Sequence, residues 1–248
     1  MYIDFLSSVH KSTSRDYLAR VNDAQFPKAI AADLAKKWGY DYWDGDRRIC
    51  YGGYNYIPGR WQSVAQALID HYQLQAGDSV LDVGCGKGFL LYEMKLLLPE
   101  LNISGIDISE YAVSHCKEEL KDNIQVGNAT KLPFEDNSFD LIFSLNTFHN
   151  LYNFDLQNAL REFQRVGNIH KYICIESYRN EIEKANLLYW QVACEAFCTP
   201  EEWEWWFSRT GYDGDHSFIY FPEMKCFCSE MICFCWEMIC FCLEMICF

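Results

Sequence analysis

The sequence predicts an α/β protein: a doubly wound, mainly parallel sheet with helices on both faces, preceded by a helical N-terminal lid. Three observations predict it. Short apolar runs alternate with helix-period segments from about residue 63 to 222. A glycine-rich turn joins the first apolar run to the helix after it, and an acidic residue ends the second run.

The elements follow in order. Residues 61–72 (WQSVAQALIDHY) have a helical pattern and lead into the strand SVLDVG at 79–84. Over 88–98, Leu90, Leu91, Met94, Leu97 and Leu98 fall on one helix face, and Pro99 ends that helix. The strand NISGIDI (102–108) precedes a helix that Ser109 opens as N-cap, with Glu110 in its first turn. Strands NIQVG (123–127) and FDLIFSL (139–145) come next. A helix from about Asp155 to Val166 buries Leu156, Ala159, Leu160, Phe163 and Val166, and Gly167 is expected to close it as a C-terminal glycine. KYICIES (171–177) reads as strand, 181–197 and 200–209 as helices, and SFIYF (217–221) as the last strand. Apolar strands between helices imply a parallel sheet covered on both faces, with ligands beyond the carboxyl ends of the strands.

Three regions separate: 1–62, helical then aromatic and glycine-rich, as a lid; 63–222 as the α/β domain; and 223–248 as a tail outside the fold. The tail repeats a seven-residue unit, MKCFCSE, MICFCWE, MICFCLE, MICF. Its C-x-C pairs are open to soft-metal binding, its Met and Phe spacing to a sticky helix, and its near-identity to a recent extension without structure. Seven of the 13 cysteines lie there, and the other six are scattered as reduced thiols are. Cys194 and Cys198, four apart on an expected helix, share a face but lack further ligands at metal spacing, so no metal is expected.

The 35 acidic against 21 basic residues give a formal net charge of −14. Such a field repels polyphosphate, so nucleic acid and anionic membranes are not expected partners, and a small molecule is. The start lacks a secretory apolar core, and no stretch is apolar enough to span a bilayer, so a cytoplasmic setting is expected.

The chemistry concentrates after the strands. Gly84, Gly86 and Gly88 are spaced G-x-G-x-G between a strand and a helix. Glycine tolerates positive φ and admits a ligand against bare backbone, and the helix start offers free N–H groups to an anion. A dinucleotide fingerprint needs its third glycine at 89, where Phe89 stands, which disfavours a nicotinamide dehydrogenase. Asp107 ends the next strand, 25 residues after Asp82, where a carboxylate can accept from both ribose hydroxyls; a turn-capping role is the structural alternative. Asp82 is placed to orient the glycine turn or meet a ligand ammonium.

Taken together, LDVGCGKG, the acid in GIDIS and LPFEDNSFDLIFS resemble the class I S-adenosylmethionine-dependent methyltransferases, in particular the "methyltransferase type 11"-like branch acting on small molecules. The resemblance spans about 63–180 and implies a Rossmann-like fold with S-adenosyl-L-methionine as cofactor. It implies that Gly84, Gly86 and Gly88 pass along the methionine part and that Asp107 binds the ribose. Asn128 and Ala129 would meet the adenine, Asn128 standing where many members carry Asp. Ser144 to Asn146 would flank the sulfonium.

The implied reaction is methyl transfer to O or N of a small acceptor, with a non-catalytic, regulatory cofactor binder as the alternative. A base is needed where the acceptor loses a proton, and the candidate catalytic residues beyond strand ends are His149 and Glu176, with Tyr178 as a polar contact. His149 is equally able to pack beneath the following helix. Tyr51, Tyr54, Tyr56 and Trp61, among the hinge glycines 52, 53 and 59, are expected to close over the site, and Arg60 to pair with the cofactor's carboxylate or an acidic substrate; a segment merely packed on the sheet is the alternative.

Overall fold

The computed structural model describes residues 1–7, 9 and 17–222. The helices are α1 (Tyr17–Val21), α2 (Lys28–Ala35), α3 (Tyr40–Trp43), α4 (Gln62–Tyr72), α5 (Phe89–Leu97), α6 (Glu110–Ser114), α7 (Asn153–Val166), α8 (Glu181–Trp190) and α9 (Pro200–Thr210). The strands are β1 (Ser79–Val83), β2 (Asn102–Asp107), β3 (Ile124–Val126), β4 (Phe139–Leu145), β5 (Gly167–Glu176) and β6 (Asp215–Ile219).

All six strands are parallel, in the order β3-β2-β1-β4-β5-β6. This is a doubly wound Rossmann-like sheet, and its order reverses between β1 and β4. Strand periodicity sends successive side chains to opposite faces, and each face has its own core. Val80, Leu141 and Phe143 pack with Val64 and Leu68 of α4 and Leu91 and Met94 of α5. Leu81, Ile142 and Ile173 pack with Leu160 and Phe163 of α7 and Trp203 of α9. A small third cluster joins Ala31, Ala35 and Ile49 to Val192, tying the N-terminal helices to the segment after α8.

Local chemistry sets the element ends. Ser109 caps α6 by accepting from the Ala112 N–H at 2.9 Å, as the sequence leads one to expect. Thr199 and Glu202 form a reciprocal capping box at α9. Gly167 departs from expectation: at φ −75° and ψ 129° it is extended and passes directly into β5. Its missing side chain serves close packing, because a Cβ there would lie 2.4 Å from Ile142 Cγ2. The stretch 191–199 is also not helix: α8 stops at Trp190, and Cys194 and Cys198 sit buried in an irregular segment, not on a shared helix face. The backbone reason is that the N–H groups of Glu195 and Ala196 donate to the His149 carbonyl, both at 2.9 Å, not to a helical turn.

The outer edge of β6 is partly covered by the chain's first residues. Tyr2 bridges His216 in parallel, and the Ile3 N–H donates to the His216 carbonyl at 2.9 Å. The expected tail at 223–248 lies outside the described residues.

Candidate active site

A cavity of about 730 Å³ opens beyond the carboxyl ends of β1, β2, β4 and β5, roofed by residues 38–61. Its position is the one the strand-order reversal predicts, and its size suits a small-molecule site.

The glycine turn after β1 forms the floor. Gly84, Gly86 and Gly88 have φ of 84°, 56° and 73°, in the left-handed region where a side chain is strained. Gly84 and Gly86 line the cavity; Gly88 does not, and packs against Ile124 as the N-cap of α5. Trp43 lies so close to Gly86 that a Cβ there would fall 2.9 Å from its ring.

Two carboxyl groups end β1 and β2 at this floor. Asp107 accepts from the Gly86 N–H at 2.7 Å and the Ser109 N–H at 2.8 Å. Burial pushes its pKa up, and those two N–H bonds pull it back. Asp82 is 5% exposed, and its pKa is driven well up by burial and then by the nearby Asp107 charge. Its Oδ1 is buried without a hydrogen-bond partner among the described residues.

The roof is aromatic and pinned to the floor. Trp43 stacks on Tyr51 at 5.6 Å, and Tyr54 stacks on Phe89 at 5.1 Å. Trp43 Nε1 donates to Ser109 Oγ at 2.9 Å. Lys87, 4% exposed within the glycine turn, reaches Asp44 Oδ2 at 2.6 Å and the Tyr54 carbonyl at 2.8 Å. Arg60 is exposed and lines the same cavity.

Beyond β4 and β5 lies a second polar group. His149 and Glu176 are both buried, and Nε2 of His149 is 3.6 Å from Glu176 Oε2. Burial pushes Glu176 up to about 7, against hydrogen bonds from Gln191 and Trp190. Burial also pushes His149 down to about 3. Trp190 Nε1 donates to Glu176 Oε1 at 3.1 Å, Gln191 Nε2 donates to Glu176 Oε2, and the Trp203 indole donates to the Glu176 carbonyl at 3.2 Å. Asn146, held at φ 56° after β4, also lines the cavity.

Of the residues expected at the site, Asp82, Gly84, Gly86, Asp107, Asn128, Ala129, Asn146, His149, Glu176 and Arg60 all line this one cavity. Asn128 turns its Oδ1 to the Thr130 N–H and hydroxyl, both at 2.9 Å, and so caps its own loop. Ser144 faces elsewhere: it is 1% exposed and donates to the Val83 carbonyl at 2.7 Å, bridging β4 to β1. Tyr178 lies outside the lining too, beneath the Lys184 ammonium at 5.2 Å. Trp190 and Gln191 escape sequence reasoning because the pattern around them reads as uninterrupted helix. The Lys87–Asp44 pair was readable only as a lone lysine inside a glycine loop.

The residues present fit an adenosyl amino acid. The unpartnered Asp82 oxygen suits an ammonium, the bare backbone at 84 and 86 admits close approach, and Asp107 stands at the end of β2 for a ribose.

The fold and cavity define an α/β protein of the nucleotide-cofactor-binding type. Residues 74–211 match the family described as a methyltransferase domain, and the chain belongs to that family, of the class I S-adenosylmethionine-dependent type, through this domain. Among curated relatives, a demethylmenaquinone methyltransferase of Symbiobacterium thermophilum is 30% identical over 149 residues, 54% of this chain and 57% of that one. The 27-O-demethylrifamycin SV methyltransferase of Amycolatopsis mediterranei is 28% identical over 149 residues, 56% of this chain and 51% of that one. The chain thus spans about half the length of these curated relatives. A solved structure of a Bacillus halodurans protein assigned as a methyltransferase shares the fold with a TM-score of 0.50 at 17% identity, over 59% of this chain and 68% of that one. Among the described residues, no helix is long and apolar enough to cross a membrane, and no group of His, Cys, Asp or Glu is arranged to hold a metal ion.

Proposed function

We propose that the protein transfers a methyl group from S-adenosylmethionine to an oxygen or nitrogen of a small-molecule acceptor. The observation that carries this is the buried His149–Glu176 pair opening on the same cavity as the glycine turn and Asp107. The small-molecule acceptors in the names of the two curated relatives support it.

When bound, the cofactor supplies a methyl carbon activated by a sulfonium. The chain's own groups hold and exclude. Gly84 and Gly86 admit the methionine part, Asp82 accepts from its ammonium, and Arg60 meets its carboxylate. Asp107 accepts from the ribose, with Asn128 and Ala129 beside the adenine and Asn146 near the sulfonium. The aromatic roof excludes water and fixes the approach line, an alignment term of about 7–11 kcal/mol at most. Glu176, poised near neutrality and oriented by Trp190 and Gln191, takes the acceptor's proton at a carboxylate oxygen, and His149 positions that carboxyl.

The test incubates the whole chain with methyl-labelled S-adenosylmethionine and a panel of hydroxylated and amine acceptors. Acceptor-dependent S-adenosylhomocysteine is expected, falling roughly 10²–10⁴-fold in Glu176→Gln with cofactor binding retained. Cofactor binding without product from any acceptor would instead mark a non-catalytic binder.

A further inference from the structure

We infer that the acceptor is a neutral molecule with neighbouring hydroxyl groups, one methylated at the His149–Glu176 pair and another read by the amide oxygens of Asn150 and Asn146. This rests on the methyl-transfer reading and assigns its substrate class. Both amide oxygens are buried without a hydrogen-bond partner among the described residues, and both side chains line the cavity. The orientation of Asn150 follows from its other bond: its Nδ2 donates to the Asn146 carbonyl at 3.3 Å, which leaves the buried Oδ1 as the acceptor without a partner among the described residues. Asn150 shares a single 3-10 turn, Phe148–Asn150, with His149, so its oxygen and the imidazole belong to one rigid unit. Asn146 sits in a left-handed conformation, and its N–H is held by the Cys174 carbonyl at 2.8 Å, so its place at the strand end is defined.

A buried carbonyl oxygen without a donor is disfavoured, and a ligand that supplies the donor recovers that loss. This end of the cavity therefore selects for donors. Glu176 is already met by two donors from Trp190 and Gln191, which leaves it little need of a cation. The cavity's ionisable lining is balanced, Arg20, Arg47 and Arg60 against Asp82, Asp107 and Glu176, so it offers a charged acceptor no net field of opposite sign. Hydroxyl groups meet both conditions: they donate and carry no charge. The flat walls of Tyr42, Tyr51 and Trp190 suit the apolar face of a ring bearing those hydroxyls.

The test first titrates the whole chain with S-adenosylhomocysteine: absence of binding would strike the methyl-transfer reading and this assignment with it, whereas binding followed by failure of the acceptor arm would strike this assignment alone. The loaded protein is then titrated calorimetrically with catechol and cis-1,2-cyclohexanediol beside phenol, cyclohexanol, cyclohexylamine and cyclohexanecarboxylate. Each diol is expected to bind at least about ten-fold more tightly than its mono-hydroxyl counterpart, since a site built for a hydroxyl rejects the analogue lacking it. Asn150→Leu is expected to erase that ratio, and Asn150→Asp, which keeps an acceptor oxygen, to retain it, with S-adenosylhomocysteine affinity unchanged in both. Equal binding of diol and mono-ol, a ratio that survives Asn150→Leu, preference for the amine or the carboxylate, or no diol heat at all would each overturn the assignment.

Discussion

Glu176 and His149 are displaced in opposite directions by the same burial, and this gives the site a pH signature. The folded-state pKa of Glu176 is about 7 against an ordinary 4.5, so the fold binds the extra proton between those values. Its contribution to stability is present below pH 4.5 and is lost as pH rises to about 7. His149, at about 3 against an ordinary 6.5, contributes stability that is present above 6.5 and lost as pH falls towards 3. The two slopes oppose each other between 4.5 and 6.5, so the wild type should vary little there and weaken below that window. Glu176→Gln should remove the loss on the alkaline side, so that stability rises from pH 4.5 to 7, as read by denaturant titration at fixed pH steps. Activity should follow the deprotonated carboxyl and climb through about pH 7, and a flat rate profile across that range would remove Glu176 as the base. Asp107 makes a separate prediction. Its carboxylate holds the Gly86 and Ser109 N–H groups, so Asp107→Ala should loosen the turn and lose the ribose contact together. Hydrogen bonds to charged groups contribute about 1.5–3 kcal/mol, so cofactor affinity should fall about 10- to 100-fold by calorimetry.

Among the elements, the join between the 38–61 segment and the glycine turn is the most informative. Lys87 is nearly fully buried and meets Asp44 at 2.6 Å, with the Tyr111 hydroxyl donating to the same carboxylate oxygen at 2.9 Å. Removing one partner of a buried pair strands the other charge. Asp44→Asn should therefore destabilise by about 3 kcal/mol, whereas Asp44→Leu with Lys87→Met should recover most of that loss. Thermal melting of the single and double variants checks it, and a double variant no better than the single one would mean the pair does not act as a unit. This join also marks where sequence reading stops. The six strands were legible because buried parallel strands read as apolar runs, and Ser109 was legible because capping is local chemistry. The end of α8 was not, because Trp190, its last residue, and Gln191, the first beyond it, both donate to a carboxyl 14 and 15 residues away, and no local pattern carries that. Ser144 was misplaced for a related reason: its hydroxyl is held by the Val83 carbonyl of the neighbouring strand, while Asn146, just past the end of β4, meets the cavity.

Among the described residues, the two cores draw on residues from Ile3 to Phe221, and the cavity lining runs from Leu6 to Val192. We propose that the repeat at 223–248 stands apart from the fold: a chain ending at Pro222 should then keep its melting temperature and its affinity for S-adenosylmethionine, and a loss of either would assign the repeat segment a part in the fold. Charge acts at the same scale. With 35 acidic and 21 basic residues, the long-range field repels a polyanion, while the arginines of the cavity act only over short distances. Lowering the salt lengthens that repulsion, so duplex DNA and RNA should show no gel-shift complex even at about 10 mM ionic strength, where screening is weakest. A complex forming there and dissolving on adding salt would reveal a basic surface that the net charge conceals, and would move the acceptor from small molecules to nucleic acid.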